Sequence, residues 1–145
     1  MNKKDLTSPC GLDCFNCPIY KDNITEALRS DLVVRTGLKA EEVPCKGCVE
    51  QKGNCPGCSN CETYNCVMEK KLRFCYECDD FPCSKLQPAV DGANFFPHNM
   101  KVYNLCRMKA IGVEKWVEEE ATEIRKRYYQ GKFRVGSGPQ LKEDD

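Results

Sequence analysis

Apolar residues recur at helical spacing in three places along the chain. Val113, Trp116, Val117, Ala121, Ile124 and Tyr128 fall on one face of a 3.6-residue period and predict a helix over 113–129. Glu114, Glu118, Glu119 and Glu120 lie toward its start, and Arg125, Lys126 and Arg127 toward its end, an order that complements the helix dipole. Glu123 and Arg127 add an i,i+4 pair in the favoured orientation. Val102, Leu105, Cys106 and Met108 predict a second helix over 99–111, broken by Gly112. Ile24, Leu28, Leu32 and Val33 stripe a third over 23–38, capped by Asn23 or Thr25 and ended by Gly37. This helix is expected to pack its apolar stripe on the cysteine-rich layer.

The remaining pattern is different. Residues 45–66 hold Gly47, Gly53 and Gly57 with Pro44 and Pro56, which is turn chemistry. Residues 67–74 can form a helical turn or two. The expected fold class is small α plus irregular and short β, with a metal-stabilised, zinc-knuckle or ribbon-like region and C-terminal helices. Three parts are expected. Residues 1–88 form a cysteine-rich metal-binding region with one amphipathic helix, and 89–130 a two-helix region packed on it. Residues 131–145 form a flexible tail rich in Gly, Ser and Lys.

Composition explains why metal enters the picture. Hydrophobic residues make up 41% of the 145, but 13 of those are cysteines, and the mean hydropathy is −0.60. Without the cysteines the apolar supply is modest, so part of the chain needs cross-links or metals. The net charge is zero, which gives no whole-molecule attraction for nucleic acid. No apolar leader core follows Met1, and no stretch approaches the ~20 apolar residues of a membrane span. A reducing, cytoplasmic location is therefore expected. There, paired cysteines read as metal ligands rather than disulfides.

Twelve cysteines lie between residues 10 and 83: Cys10, Cys14 and Cys17; Cys45 and Cys48; Cys55, Cys58, Cys61 and Cys66; Cys75, Cys78 and Cys83. Two cysteines separated by two residues can clasp one ion from a tight turn, and thiolates suit tetrahedral zinc. Cys14–Cys17, Cys45–Cys48, Cys55–Cys58 and Cys75–Cys78 have that form, and Cys58–Cys61 overlaps the third. All twelve are candidate ligands, enough for two or three zinc ions. The sequence leaves open which pairs share an ion. An iron–sulfur cluster is the alternative cofactor. Cys55-x2-Cys58-x2-Cys61-x4-Cys66 comes close to the ferredoxin run, but the last gap is one residue too long and no proline follows Cys66. Cys10-x3-Cys14-x2-Cys17 has the spacing of radical-SAM ligands, yet that barrel needs far more chain.

The run from Cys10 to Tyr20 (CGLDCFNCPIY), then CKGC at 45–48, then FCYECDDFPCSKL at 74–86, resembles a prokaryotic family known as DUF3795. The resemblance implies a small, cysteine-rich, metal-binding protein and carries no activity. Cys10, Cys14, Cys17, Cys45, Cys48, Cys58, Cys66, Cys75, Cys78 and Cys83 match the family's cysteine motifs. Cys55 and Cys61 look more variable there.

Other chemistry is sparse. His98, the only histidine, reads as a helix-start residue, and Cys106 as a small buried hydrophobe. Asp13, Asp79 and Asp80 beside ligand cysteines read as solvated turn carboxylates. Tyr128, Tyr129, Lys132, Phe133 and Arg134 mix basic and aromatic character but read as a helix end and its tail. No phosphate loop, nucleophile elbow or HExxH occurs, so a binding module is expected over an enzyme, with a protein partner first and nucleic acid second.

Overall fold

The computed structural model describes residues 2–56, 58–86 and 99–130, together with the backbone of 133–134 and 138–139. Among them the fold is helical with little strand. Helix α1 is Glu26–Thr36, α2 is Glu62–Glu69 and α3 is Asn99–Ile111. After Gly112, α4 (Val113–Lys115), a π-helical segment (Trp116–Glu120) and α5 (Ala121–Gln130) run on without a break. Short 3-10 turns at Cys14–Asn16, Cys75–Glu77 and Ser84–Leu86 carry or adjoin cysteines. Phe133–Arg134 and Gly138–Pro139 pair as two antiparallel strands, β1 and β2. No helix of the described residues is long and apolar enough to cross a membrane.

The helix starts and stops follow the sequence signals. Thr25 caps α1 by accepting a hydrogen bond from the Leu28 N–H, and Gly37 closes it in the left-handed conformation at φ 70°. The stripe of α1 does not pack as expected: no α1 residue is buried, and Leu28, Leu32 and Val33 are only half-buried. Val34, beside them, is 83% exposed. Helix α2 also departs from expectation. It begins at Glu62, inside the stretch read as turns, and ends at Glu69 rather than running to Phe74. Thr63 and Val67, four residues apart, are its buried face, and no Gly or Pro follows residue 57 until well past its end. Lys71, at φ 55°, then turns the chain back, with the Leu72 N–H bonded to the Val67 carbonyl.

One apolar core joins the two halves. Cys10, Val67, Phe74, Cys75 and Leu86 meet Met100, Leu105, Met108, Val113, Trp116, Val117, Ala121, Ile124 and Tyr128. All six residues of the 113–128 stripe are buried, and Trp116 is fully so. Cys106, expected inside, is exposed. It neighbours Leu105, which takes the inward position, so it points to another side of α3.

The N-terminal segment is a tight hairpin with Cys10 and Gly11 at its tip. Thr7 and Asp13 pair antiparallel, the Ser8 N–H bonds to the Leu12 carbonyl at 2.9 Å, and the Cys14 N–H to the Leu6 carbonyl at 3.0 Å. The tip docks on α3, where buried Asn104 donates from Nδ2 to the Gly11 carbonyl at 2.8 Å. Gly11 has φ 87°, and a Cβ there would lie 2.8 Å from the Lys101 carbonyl oxygen. Gly11→Ala should therefore destabilise by more than the roughly 1–2 kcal/mol of a left-handed alanine, because α3 must also yield. A chemical denaturation midpoint unchanged from wild type would count against this docking.

Candidate metal centre

None of the 13 cysteines is disulfide-bonded. Cys10, Cys45 and Cys75 are buried. Cys14, Cys17, Cys48, Cys55, Cys61, Cys66, Cys78 and Cys83 are half-buried, and Cys58 is exposed. Among the described residues, no three His, Cys, Asp or Glu side chains converge on one point ready to hold an ion.

The first motif lies against the second because the chain pairs beside them. Tyr20 and Cys45 form a parallel bridge, with the Cys45 N–H on the Ile19 carbonyl and the Lys21 N–H on the Cys45 carbonyl, each 2.8 Å. Gly47, at φ 97°, lets the second turn close over the first, and a Cβ on it would sit 3.9 Å from that of Cys14. A backbone donor then points at sulfur. The Gly47 N–H reaches Cys45 Sγ at 3.4 Å, and the backbone N–H groups of Ile19 and Cys48 favour the charged forms of Cys17 and Cys14. The Cys45 thiol donates to Gln51 Oε1 at 3.2 Å, and the thiols of Cys45 and Cys48 lie near enough to act on Cys55.

The third motif lies elsewhere. The Cys75 N–H bonds the Pro9 carbonyl at 3.0 Å, beside Cys10, and Ser8 Oγ is 3.2 Å from Cys10 Sγ. Thr63 of α2 donates to the Lys85 carbonyl at 3.1 Å, which holds α2, and Cys66 on it, against the turn that follows Cys83. Lys70, just past α2, reaches Cys78 Sγ at 3.0 Å and Asp80 Oδ2 at 2.7 Å. Lys85 lies near Cys66, whose thiol raises its pKa. Cys58 lies near Cys61 and Lys101.

Burial disfavours the thiolate form of several of these cysteines. It pushes Cys14 up to about 12, against the Cys48 N–H that pulls it down. It raises Cys17 against the Ile19 N–H and Arg125, and pushes Cys75 up to about 12 with help from Cys10. A cation that binds these sulfurs as thiolates must displace their protons. Zinc added to apo protein in weak buffer should release protons, read with a pH indicator, and zinc affinity should fall as pH falls. Binding without proton release would exclude Cys14 and Cys75 as ligands.

Asp13 is not the solvated carboxylate expected. It is 1% exposed and forms an ion pair with Arg125 of α5, while Asn16 donates to its Oδ2 at 2.8 Å. Burial raises its carboxyl, opposed by Arg125 and Asn16. Arg125 also lies 5.4 Å from the Tyr129 ring centre. The sequence signal for this pair is weak. Arg125 follows Ile124 and sits three residues before Tyr128, at the edge of the buried stripe. Asp79 is exposed, as expected, and Asp80 pairs with Lys70. Tyr128 is buried, which takes it out of any base-stacking surface. His98, Lys132 and the tail lie outside the described residues, as do the Phe133 and Arg134 side chains.

Cys106 is exposed on α3, apart from these contacts. In metal-loaded protein an alkylating reagent should modify Cys106 before the buried Cys10, Cys45 or Cys75, as peptide mass mapping would read. Equal protection of Cys106 would mean that something covers α3.

A helical chain with clustered free cysteines and little sheet defines a small cysteine-rich protein compatible with metal binding. The chain belongs to DUF3795, a family described as a protein of unknown function, which matches over residues 6–88. No curated protein and no solved structure matches it.

Proposed function

We propose that this protein binds zinc through several all-cysteine structural sites and presents the resulting scaffold to a protein partner. The donor set fits the ion: thiolates are soft ligands, and their turns have the two-residue spacing of zinc knuckles. One observation carries the reading. The Gly47 N–H reaches the sulfur of Cys45 at 3.4 Å, and the backbone N–H groups of Cys48 and Ile19 favour the charged forms of Cys14 and Cys17. Such donors stabilise thiolate over thiol and are of little use to a protonated, metal-free cysteine. Zinc would supply the cross-link that ties turns with little apolar content of their own. Four thiolates on one ion leave no open position for substrate, which favours a scaffold over a catalyst. Zinc held by free thiolates also suits a reducing, cytoplasmic setting.

The iron–sulfur alternative is disfavoured by the fate of the ferredoxin-like run. Cys55 turns to Cys45 and Cys48, whereas Cys66 sits on α2 near Cys75. Metal analysis by ICP mass spectrometry on protein purified without oxygen, with acid-labile sulfide on the same sample, tests the reading. Zinc without sulfide is expected. Iron with matching sulfide would replace it with an electron-transfer function.

A further inference from the structure

We propose that Asn23 is a positioning residue of the first chelating turn. Its side-chain amide moulds the loop that presents Cys14 and Cys17, and ties the start of α1 to that loop. The role deepens the zinc-scaffold reading and rests on it for the identity of the metal.

The sequence offers Asn23 as a cap for α1, but Thr25 takes that place. The Asn23 side chain turns back toward the cysteines instead. Its Nδ2 donates to the Phe15 carbonyl at 2.8 Å and to the Cys17 carbonyl at 2.9 Å. A side-chain amide has two N–H donors, and both are used here. The turn itself closes through backbone bonds, from the Asn16 N–H to the Asp13 carbonyl and from the Cys17 N–H to the Cys14 carbonyl, each 3.0 Å. Asn23 holds the next carbonyls along. It thereby fixes the two peptide planes that flank residues 16 and 17. Cys17 sits at φ −71° and ψ 128°, and holding its carbonyl holds that ψ. The direction of the chain leaving the sulfur-bearing residue is then set by a side chain rather than by a metal.

The same residue reaches α1. The N–H groups of Asn23 and Ile24 both bond the Tyr20 carbonyl, at 2.8 and 2.9 Å. Helix α1 begins at Glu26, and none of its residues is buried. Apolar packing therefore gives the helix little hold, and the Asn23 amide joins its first turn to the cysteine loop.

Asn23→Asp separates positioning from packing. Aspartate has the size of asparagine, but once ionised it only accepts hydrogen bonds. A packing role predicts wild-type behaviour. A donor role predicts a variant worse than Asn23→Ala, because a carboxylate then faces two carbonyl oxygens. Two readouts apply to the purified protein, with Trp116 emission checking that the core is intact. By competition with a chromophoric chelator, one zinc ion should be held about tenfold more weakly in Asn23→Ala, and more weakly still in Asn23→Asp. Hydrogen exchange should quicken at the amides of Asn16, Cys17 and Tyr20 and in the first turn of α1. Wild-type exchange in either variant overturns the proposal, as does Asn23→Asp behaving better than Asn23→Ala. Quickened exchange with undiminished zinc affinity also overturns it, since Asn23 would then shape the loop without serving the ligands. If Asn23→Asp does not fold, Asn23→Ala against wild type decides alone. The two readings fail separately. Quickened exchange in protein that carries iron or no metal sinks the zinc reading alone. Zinc-loaded protein in which either variant matches wild type sinks the Asn23 role alone.

Discussion

Removing the metal with a chelator under reducing conditions should unfold the protein, with loss of its cooperative thermal transition and a red shift of Trp116 emission. Trp116 is the only tryptophan and is fully buried, so its fluorescence reports the core directly. The expectation follows from magnitudes. A structural zinc site in zinc-finger peptides contributes about 10–16 kcal/mol at neutral pH, while a whole domain is stable by only ~5–15 kcal/mol. The ligands cannot stay poised once the metal leaves, because buried sulfurs would revert to thiols and their N–H partners would lose most of their hold. Nor would the helical half stand apart. Cys10, Val67, Phe74, Cys75 and Leu86 form one side of the core that covers Trp116. Circular dichroism should show α-helix lost together with the tryptophan shift. A chelated, metal-free protein with unchanged melting and emission would mean that the cysteines do not staple this fold.

Arg125→Ala should be strongly destabilising. It leaves the Asp13 carboxylate, 1% exposed, with only the Asn16 side chain against it. Breaking a buried ion pair from one side costs about 3–5 kcal/mol, and the 16% exposure of the Arg125 side chain places the effect near the lower end. Replacing both partners, as Asp13→Asn with Arg125→Met, should recover much of the loss, since neither charge is then stranded. Urea denaturation of metal-loaded protein checks both variants. Asp13 immediately precedes Cys14, and the pair is what ties the first cysteine turn to α5. Arg125→Ala should therefore also loosen the first turn, seen as faster alkylation of Cys14 and Cys17 than in wild type. A double variant no more stable than the single would show that the pair itself, not the stranded charge, carries the stability.

Much of the helical half is written locally. The 113–128 stripe needs only a 3.6-residue period and a buried partner, and it is buried throughout. Thr25 and Gly37 bound α1 because capping and left-handed turns depend on single residue types. The Glu123–Arg127 pair forms as the spacing requires, at 3.0 Å. The cysteine motifs were legible too, because a two-residue gap between thiols is itself a chelating geometry, and their order points to the family that matches over residues 6–88.

Other features depend on which segments meet. The stripe on α1 has helical spacing, yet the fold brings too little against it to bury any residue. The apolar neighbours of Cys106 gave no sign that α3 would turn its sulfur outward, since periodicity gives the buried face only after a partner chooses it. Asp13 looks like any turn carboxylate until α5 lays Arg125 on it, from 112 residues away. The same holds for the placing of Cys10. Spacing alone sets Cys10 beside Cys14 and Cys17, and only the hairpin that places Cys10 at its tip also lays the Pro9 carbonyl on the Cys75 N–H. Local periods, caps and chelating turns are properties of a few consecutive residues and can be read from sequence. Which buried charge finds its counterion, and which turn docks on which helix, depends on contacts between segments far apart in the chain, and those only the tertiary structure decided.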